Sequence, residues 1–194
     1  DVRYCDYWSG AGGGQCSHLY GKAGKKTILF DSDQSITKRA WIENHYGVME
    51  VAGPDLVGTG IKQAEKFGAE YRQAKVTNIL KKEDGFAIET DKGENVEAKH
   101  VILATGLMVD LAEKIGLKTR PGTEPRVKTI LDVDREGRTS EPGIWAAGAV
   151  AGVSLHTIIT AGDGAKVAIN LISEMNGERY VDHDVLKTDA AAKH

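Results

Sequence analysis

Residues 101–106 read Val101-Ile102-Leu103-Ala104-Thr105-Gly106, an apolar run that ends on a glycine turn. A second stretch, Pro142-Gly143-Ile144-Trp145-Ala146-Ala147-Gly148, has the same form. Short runs without polar alternation describe strands buried on both faces, which is the condition of a parallel sheet covered by other layers. The pair points to an α/β fold.

Upstream, Lys26-Thr27-Ile28-Leu29-Phe30 is another short buried strand, ending in Asp31. A helix is expected over 15–24, with Gly24 as its stop. Before it stands Gly10-Ala11-Gly12-Gly13-Gly14. Strand, glycine-rich turn, helix and a strand closing on an acid is the order of a dinucleotide-binding unit. Backbone N–H groups at such a helix start, around Gly10, Gly12 and Gly13, can hold a pyrophosphate. Asp31 lies about 20 residues beyond the turn, where a carboxylate accepts hydrogen bonds from ribose hydroxyls. Taken alone, the same residues read equally well as a flexible glycine loop beside a solvated aspartate.

Further elements follow from pattern. After Asp31 the chain is polar to Gly47, a loop with a helical turn. Gly53-Pro54-Asp55 opens a helix whose apolar face is Leu56, Ile61, Ala64 and Phe67 and whose end is Gly68. Three strand-like segments, 71–81, 86–90 and 95–105, are separated by turns at Glu83-Asp84-Gly85 and Asp91-Lys92-Gly93. Strands are also expected near 127–133 and over 144–150, and a helix over 157–175. That helix carries Ala161, Gly162, Gly164, Ala165 and Ala168, a stripe suited to the chain's own sheet or to a homodimer contact. The tail after Tyr180 is expected to fray.

The 194 residues carry a net charge of −3, with no Lys/Arg run that would suit nucleic acid. No apolar stretch approaches the ~20 residues that span a bilayer, and no leader pattern is visible, so a cytoplasmic protein of one domain, 1–194, is expected. The two cysteines, Cys5 and Cys16, form no Cys-x-x-Cys pair. No metal site is expected.

Four segments in order are Ile42-Glu43-Asn44-His45-Tyr46-Gly47, Gly53-Pro54-Asp55-Leu56, 101–106 and 142–148. Together they resemble the FAD domain of the thioredoxin reductase family, whose matching segments read E-N-x-x-G, G-x-x-L, I-I-A-T-G and P-G-hydrophobic-aromatic-A-A-G-D. The resemblance covers 22–180. It implies a three-layer FAD/NAD(P)-binding (glutathione-reductase-like) fold, with a parallel sheet between helices and a three-stranded antiparallel layer. It also implies roles. Asp31 binds the adenosine ribose, Asn44 faces the flavin or its ribityl chain, and the backbone of Val76 meets adenine. Thr105 and Gly106 pass close to the cofactor, and Gly148 and Ala149 approach the ribityl-pyrophosphate portion. The helix start at Thr157 and Ile158 directs N–H groups at the flavin, where they would stabilise negative charge. His156 contacts the ring or merely caps the helix.

The chain departs from the family in three places. Residues 106–143 are too few for the nicotinamide domain, with its Cys-x-x-Cys, that relatives insert there. Ala149 replaces the carboxylate of A-A-G-D. Residues 1–10 read DVRYCDYWSG where an apolar strand and a glycine belong, and Trp8 occupies the first glycine position. Residues 1–21 fit a frameshift. The single Trp codon, read one base on, becomes a glycine codon, and the shifted frame allows an apolar strand and a G-x-G-P-A-G turn. A divergent N-terminus that is compatible by chance is the other reading. If 1–21 stand as written, the first strand and the turn are expected to be compromised.

The resemblance therefore implies an FAD-dependent oxidoreductase, not a dithiol reductase, with an outside electron donor such as NAD(P)H and an outside acceptor. The other reading is a non-catalytic flavin-binding subunit. His45, Tyr46 and His156 are the nearest catalytic candidates, and each is as readily structural.

Overall fold

Alternate residues of the expected strands go to opposite layers. In the computed structural model, which describes residues 3–8, 10–125 and 127–185, Val101 and Leu103 pack with Ile79, Phe86 and Ile88 on one side. Ile102 packs with Leu19, Tyr20, Val167 and Leu171 on the other. Ile28 and Phe30 likewise oppose Leu29, and Ile144 and Ala146 oppose Trp145. Both faces of these strands are buried, which is why the sequence shows continuous apolar runs in place of alternation.

The chain begins with β1 (Arg3–Trp8), α1 (Ala11–Lys22) and β2 (Lys26–Asp31). A single 3-10 turn, Ile36–Arg39, precedes the two-residue pair β3 (Trp41–Ile42) and β4 (Val51–Ala52). Then come α2 (Gly53–Lys66), β5 (Glu70–Gln73), β6 (Val76–Lys82), β7 (Gly85–Thr90), β8 (Asn95–Ala98) and β9 (His100–Ala104). A short α3 (Asp110–Lys114) and an antiparallel hairpin of β10 (Thr119–Pro121) and β11 (Thr129–Leu131) lead to β12 (Ile144–Ala146) and α4 (Thr157–Asn176).

The main sheet has the order β12-β9-β1-β2-β5 with every pairing parallel. An antiparallel sheet, β6-β7-β8, forms the layer that shares its core with one face, and α1 and α4 pack on the other. This is the expected three-layer arrangement. From β1 the chain moves to β2 and β5 on one side and returns to β9 and β12 on the other. The C-terminal ends of β1 and β9 are thus a topological switch point, where open α/β sheets place their ligands.

Several expectations need correction. The first strand is formed: the backbone of β1 pairs with β2 on one side and β9 on the other. A parallel ladder needs only backbone groups, and the neighbouring strands supply apolar runs. The expected crowding by the Trp8 side chain, like Asp1, Val2 and Ser9, lies outside the described residues. Helix α1 starts at Ala11, not Gln15. Glycine is a poor helix former, by about 1 kcal/mol per residue, but here the missing side chains allow α1 to dock closely on α4.

The segment 71–81 is two strands, β5 in the main sheet and β6 in the antiparallel layer, and 95–105 divides in the same way into β8 and β9. Period-two patterning persists through a bend, so it does not show where a chain changes layer. The 144–150 strand stops at Ala146 and becomes a 3-10 turn, Gly148–Ala151. The core side of α2 is Val57, Ile61 and Ala64, while Phe67 stays 36% exposed beneath Lys22 and Lys66. The stretch after Tyr180 is tied down as far as Asp184: Lys22 Nζ pairs with Asp182 Oδ1 and Asp184 Oδ2, each at 2.7 Å, and Tyr180 N–H donates to Ser173 Oγ at 3.0 Å. Among the described residues no helix is long and apolar enough to cross a membrane.

Candidate nucleotide cleft

A cleft with about 370 Å³ of open space lies at the switch point. Gly10, Ala11 and Gly12 form one side, the 3-10 turn contributes Ile36 and Thr37, and Gly106, Gly148 and Ala149 close the other. Five expected positions, Gly10, Gly12, Gly106, Gly148 and Ala149, are therefore brought together.

Two glycines make this approach possible. Gly10 has φ +153°, a conformation that L side chains rarely adopt, and a Cβ there would lie 3.0 Å from Thr37 Oγ1 and 3.2 Å from Ser35 Oγ. A Cβ on Gly12 would lie 3.0 Å from the Thr160 carbonyl oxygen and 3.7 Å from Gly148 Cα. Helix α1 has no side-chain cap and no acid in its first turn. Its leading N–H groups have no acceptor within the helix, and the helix dipole adds positive potential there, so the cleft suits an anion. Gly13 is buried within α1 and does not line the cleft.

Asp31 ends the strand next to β1 and is 1% exposed. Its Oδ1 accepts from the Asp33 N–H at 2.8 Å and its Oδ2 from the Tyr71 hydroxyl at 3.3 Å. Lys38 Nζ stands 3.8 Å from Oδ2 and also pairs with Asp33. Burial pushes the Asp31 carboxyl above the usual carboxylate range, against the opposing pull of the Asp33 N–H, Lys38 and Tyr71. Burial and the Asp31 charge push the Tyr71 hydroxyl up to about 12, so it remains a donor. Each carboxylate oxygen keeps a lone pair for a further donor.

The other expected residues do not line the cleft. Val76, 2% exposed, opens β6 just past the end of β5. Thr105 is buried, and its hydroxyl donates to the Met108 carbonyl, bracing the turn that holds Gly106 at φ +66°. Asn44 is exposed on its loop. The neighbouring His45 Nδ1 is hydrogen-bonded to Thr157 Oγ1 at 3.1 Å, which fastens that loop to the start of α4. His156 occupies the N-cap position of α4 without capping it and bonds Ser154 Oγ at 2.8 Å. Ile158 is 37% exposed, and Tyr46 is 93% exposed. Cys16 is buried, with its thiol donating to the Gly164 carbonyl at 3.1 Å.

Sequence reasoning missed Ser35, Thr37 and Thr160 around the glycines, and above all Asp163. This carboxylate is 8% exposed, and its Oδ2 accepts from the Gly148 N–H at 2.8 Å. The available signal was a single charge among Ala161, Gly162, Gly164 and Ala165, where neighbours can approach closely. Of the small-residue stripe, Gly164 and Ala168 pack inward, and a Cβ on Gly164 would collide with the backbone of Gly12, while Gly162 is exposed.

Residues 9–165 match the model of the pyridine nucleotide-disulphide oxidoreductase family. The chain belongs to this family. Among curated members, thioredoxin reductase of Helicobacter pylori (strain J99) is 33% identical over 108 residues, covering 53% of this chain and 35% of that protein. Thioredoxin reductase of Peptoclostridium acidaminophilum is 38% identical over 106 residues, covering 51% of this chain and 33% of that protein. The match thus spans about a third of the length of these pyridine nucleotide-disulphide oxidoreductases. Among solved structures, the atypical thioredoxin reductase TRi of Desulfovibrio vulgaris Hildenborough superposes with a TM-score of 0.80 at 18% identity, over 92% of this chain and 99% of that one. A thioredoxin reductase from Gloeobacter violaceus gives 0.76 at 18% identity, over 96% and 99%. At such identity these structures establish the fold, which is that of the thioredoxin reductases.

Proposed function

We propose that the chain is an FAD-binding flavoprotein that acts as an FAD-dependent oxidoreductase, with its electron donor and acceptor supplied by other molecules. One observation carries the reading: the uncapped start of α1, opened by Gly10 and Gly12, faces Gly148 across the switch point. Membership of the pyridine nucleotide-disulphide oxidoreductase family supports FAD as the occupant.

The residues fit that group. N–H groups at the start of α1 would hold the diphosphate. Asp31 would accept from the ribose, and the backbone at Val76 would border adenine. Gly106, Gly148 and Ala149 leave room for the linking chain, where the absence of a carboxylate at Ala149 leaves backbone groups to serve it. N–H groups of Thr157 and Ile158, with His156 and Asn44 beside them, would stabilise negative charge at the ring. When bound, the flavin supplies the redox chemistry, and the protein supplies orientation and electrostatics. Dithiol exchange is not part of the proposal, since Cys5 and Cys16 form no Cys-x-x-Cys and Cys16 is buried.

A second reading, a flavin-binding subunit without turnover of its own, is favoured by the stretch 105–143. Among its described residues, it holds only α3 and the β10–β11 hairpin as regular structure between β9 and β12. Purified protein should show the visible absorbance of bound flavin or acquire it on incubation with FAD. Failure to take up FAD would overturn the proposal. Anaerobic mixing with NADH or NADPH then separates the two readings: rapid bleaching supports the enzyme, and bleaching only when a second protein is added supports the subunit.

A further inference from the structure

We infer that Asp163 is the positioning residue of the cleft, setting the turn at Gly148–Ala151 from helix α4. The inference rests on the cofactor reading above and adds a residue to it. The turn has a special need for support. Gly148 lies at φ +79°, one residue beyond the end of the edge strand β12, and its side of the cleft offers no carboxylate, because Ala149 stands there. Asp163 meets the need from behind. Its Oδ2 accepts from the Gly148 N–H at 2.8 Å, and its Oδ1 pairs with Lys166 Nζ at 2.5 Å. Each carboxylate oxygen thus has a partner, and Lys166 balances its charge, so a buried anion can stand beside a cleft built for another anion.

One tight approach and two of ordinary van der Waals spacing surround Asp163. The Cβ position of Gly164, the next residue, falls 2.1 Å from the Gly12 carbonyl oxygen. The Cβ position of Gly12 faces Gly148 Cα at 3.7 Å, and that of Gly148 faces Thr160 Cβ at 3.8 Å. The start of α1, the Gly148 turn and the middle of α4 thus lie side by side, and the Asp163 hydrogen bond ties the turn to α4. Removing the carboxylate leaves a buried N–H without its acceptor and frees the turn to shift relative to the start of α1.

The test compares wild-type, Asp163→Ala, Asp163→Asn and Asp163→Glu proteins, with FAD affinity read by flavin fluorescence and Gly148 amide exchange read on ¹⁵N-glycine-labelled protein without cofactor. Asn keeps an acceptor oxygen in place, so Asp163→Asn should bind FAD within about threefold of wild type, with Gly148 still protected. Asp163→Ala should bind at least about tenfold more weakly, with Gly148 exchanging faster. If the Ala variant does not fold, Asp163→Glu, which displaces the carboxylate by one methylene, should show the same weakening in a folded protein. Wild-type-like FAD binding by the folded Ala or Glu variant overturns the inference, and so does an unprotected Gly148 amide in wild type. If the wild-type protein takes up no FAD, the cofactor reading itself falls and the positioning role falls with it.

Discussion

A Cβ on Gly164 would stand 2.1 Å from the carbonyl oxygen of Gly12, so α1 and α4 touch backbone to backbone. The Cys16 thiol donates to the same Gly164 at 3.1 Å, one turn further along α1. No side chain can be added at this crossing unless the helices part. Gly164→Ala should therefore destabilise the protein by about 1–3 kcal/mol, the usual cost of overpacking. Thermal denaturation measures it, and an unchanged Tm would count against so tight a crossing.

Gly10 and Gly58 make a matched pair. Alanine at Gly10 meets Thr37 and Ser35 and must accept φ +153°, whereas a Cβ on Gly58, within α2, meets nothing within 4 Å. Gly10→Ala should weaken FAD binding by about tenfold or more, since backbone strain of about 1–3 kcal/mol lands on the cleft itself. Gly58→Ala should raise stability by about 0.5–1 kcal/mol and leave binding unaltered. Titration with FAD and a melt of each variant give both readouts.

Asp31 sets stability against binding. Its carboxyl is held above the usual range by burial, so the folded state binds its proton more tightly than the unfolded state does. The stabilising part of that linkage is complete below the ordinary carboxylate value and is lost as pH rises through the raised value. At neutral pH the buried charge is therefore a burden, and Asp31→Asn should melt higher than wild type. The difference should shrink as pH falls into the acid range. The same variant should bind FAD about tenfold or more weakly, because a charged acceptor for the ribose is gone. A variant that melts lower at neutral pH would refute the account.

Lys22 holds the segment after Tyr180 against α1 through Asp182 and Asp184. The Lys22 hydrogen bond keeps the Asp184 carboxyl below the usual range. That contribution is present at neutral pH and is lost as pH falls through the depressed value. Lys22→Ala should lower the Tm only modestly, since the exposed Asp184 pair contributes little and the Asp182 pair alone is half-buried. It should, however, open the 180–185 segment to limited proteolysis. Equal protease resistance in the variant would show that the pairs hold nothing.

Three strands of the main sheet were legible because each announces itself locally: 26–30, 101–104 and 144–146 are largely apolar runs bounded by turns. That Gly10 and Gly12 open a helix start beside a strand ending in Asp31 was legible because a strand, glycine turn and helix in that order constrain residue type at fixed spacing. What could not be read depends on partners distant in sequence. The helical state of Ala11–Gly14 follows from contact with α4, and the change of layer at Ala74 and Lys75 leaves no periodic mark. Asp163 belongs to the cleft only because Gly148 comes within hydrogen-bond distance of it. Val57 replaces Leu56 in the core because the rotation of α2 is set by its neighbours, not by its own pattern.

The crossing of Gly12 with Gly164 also bears on the order in which the protein can be made. The first helix is synthesised well before its docking surface on α4. The cleft therefore cannot assemble until α4 follows, and α1 must wait with its glycine-rich start uncovered. Closing so long a loop slows folding, and the two sides of the cleft can meet only after α4 has emerged.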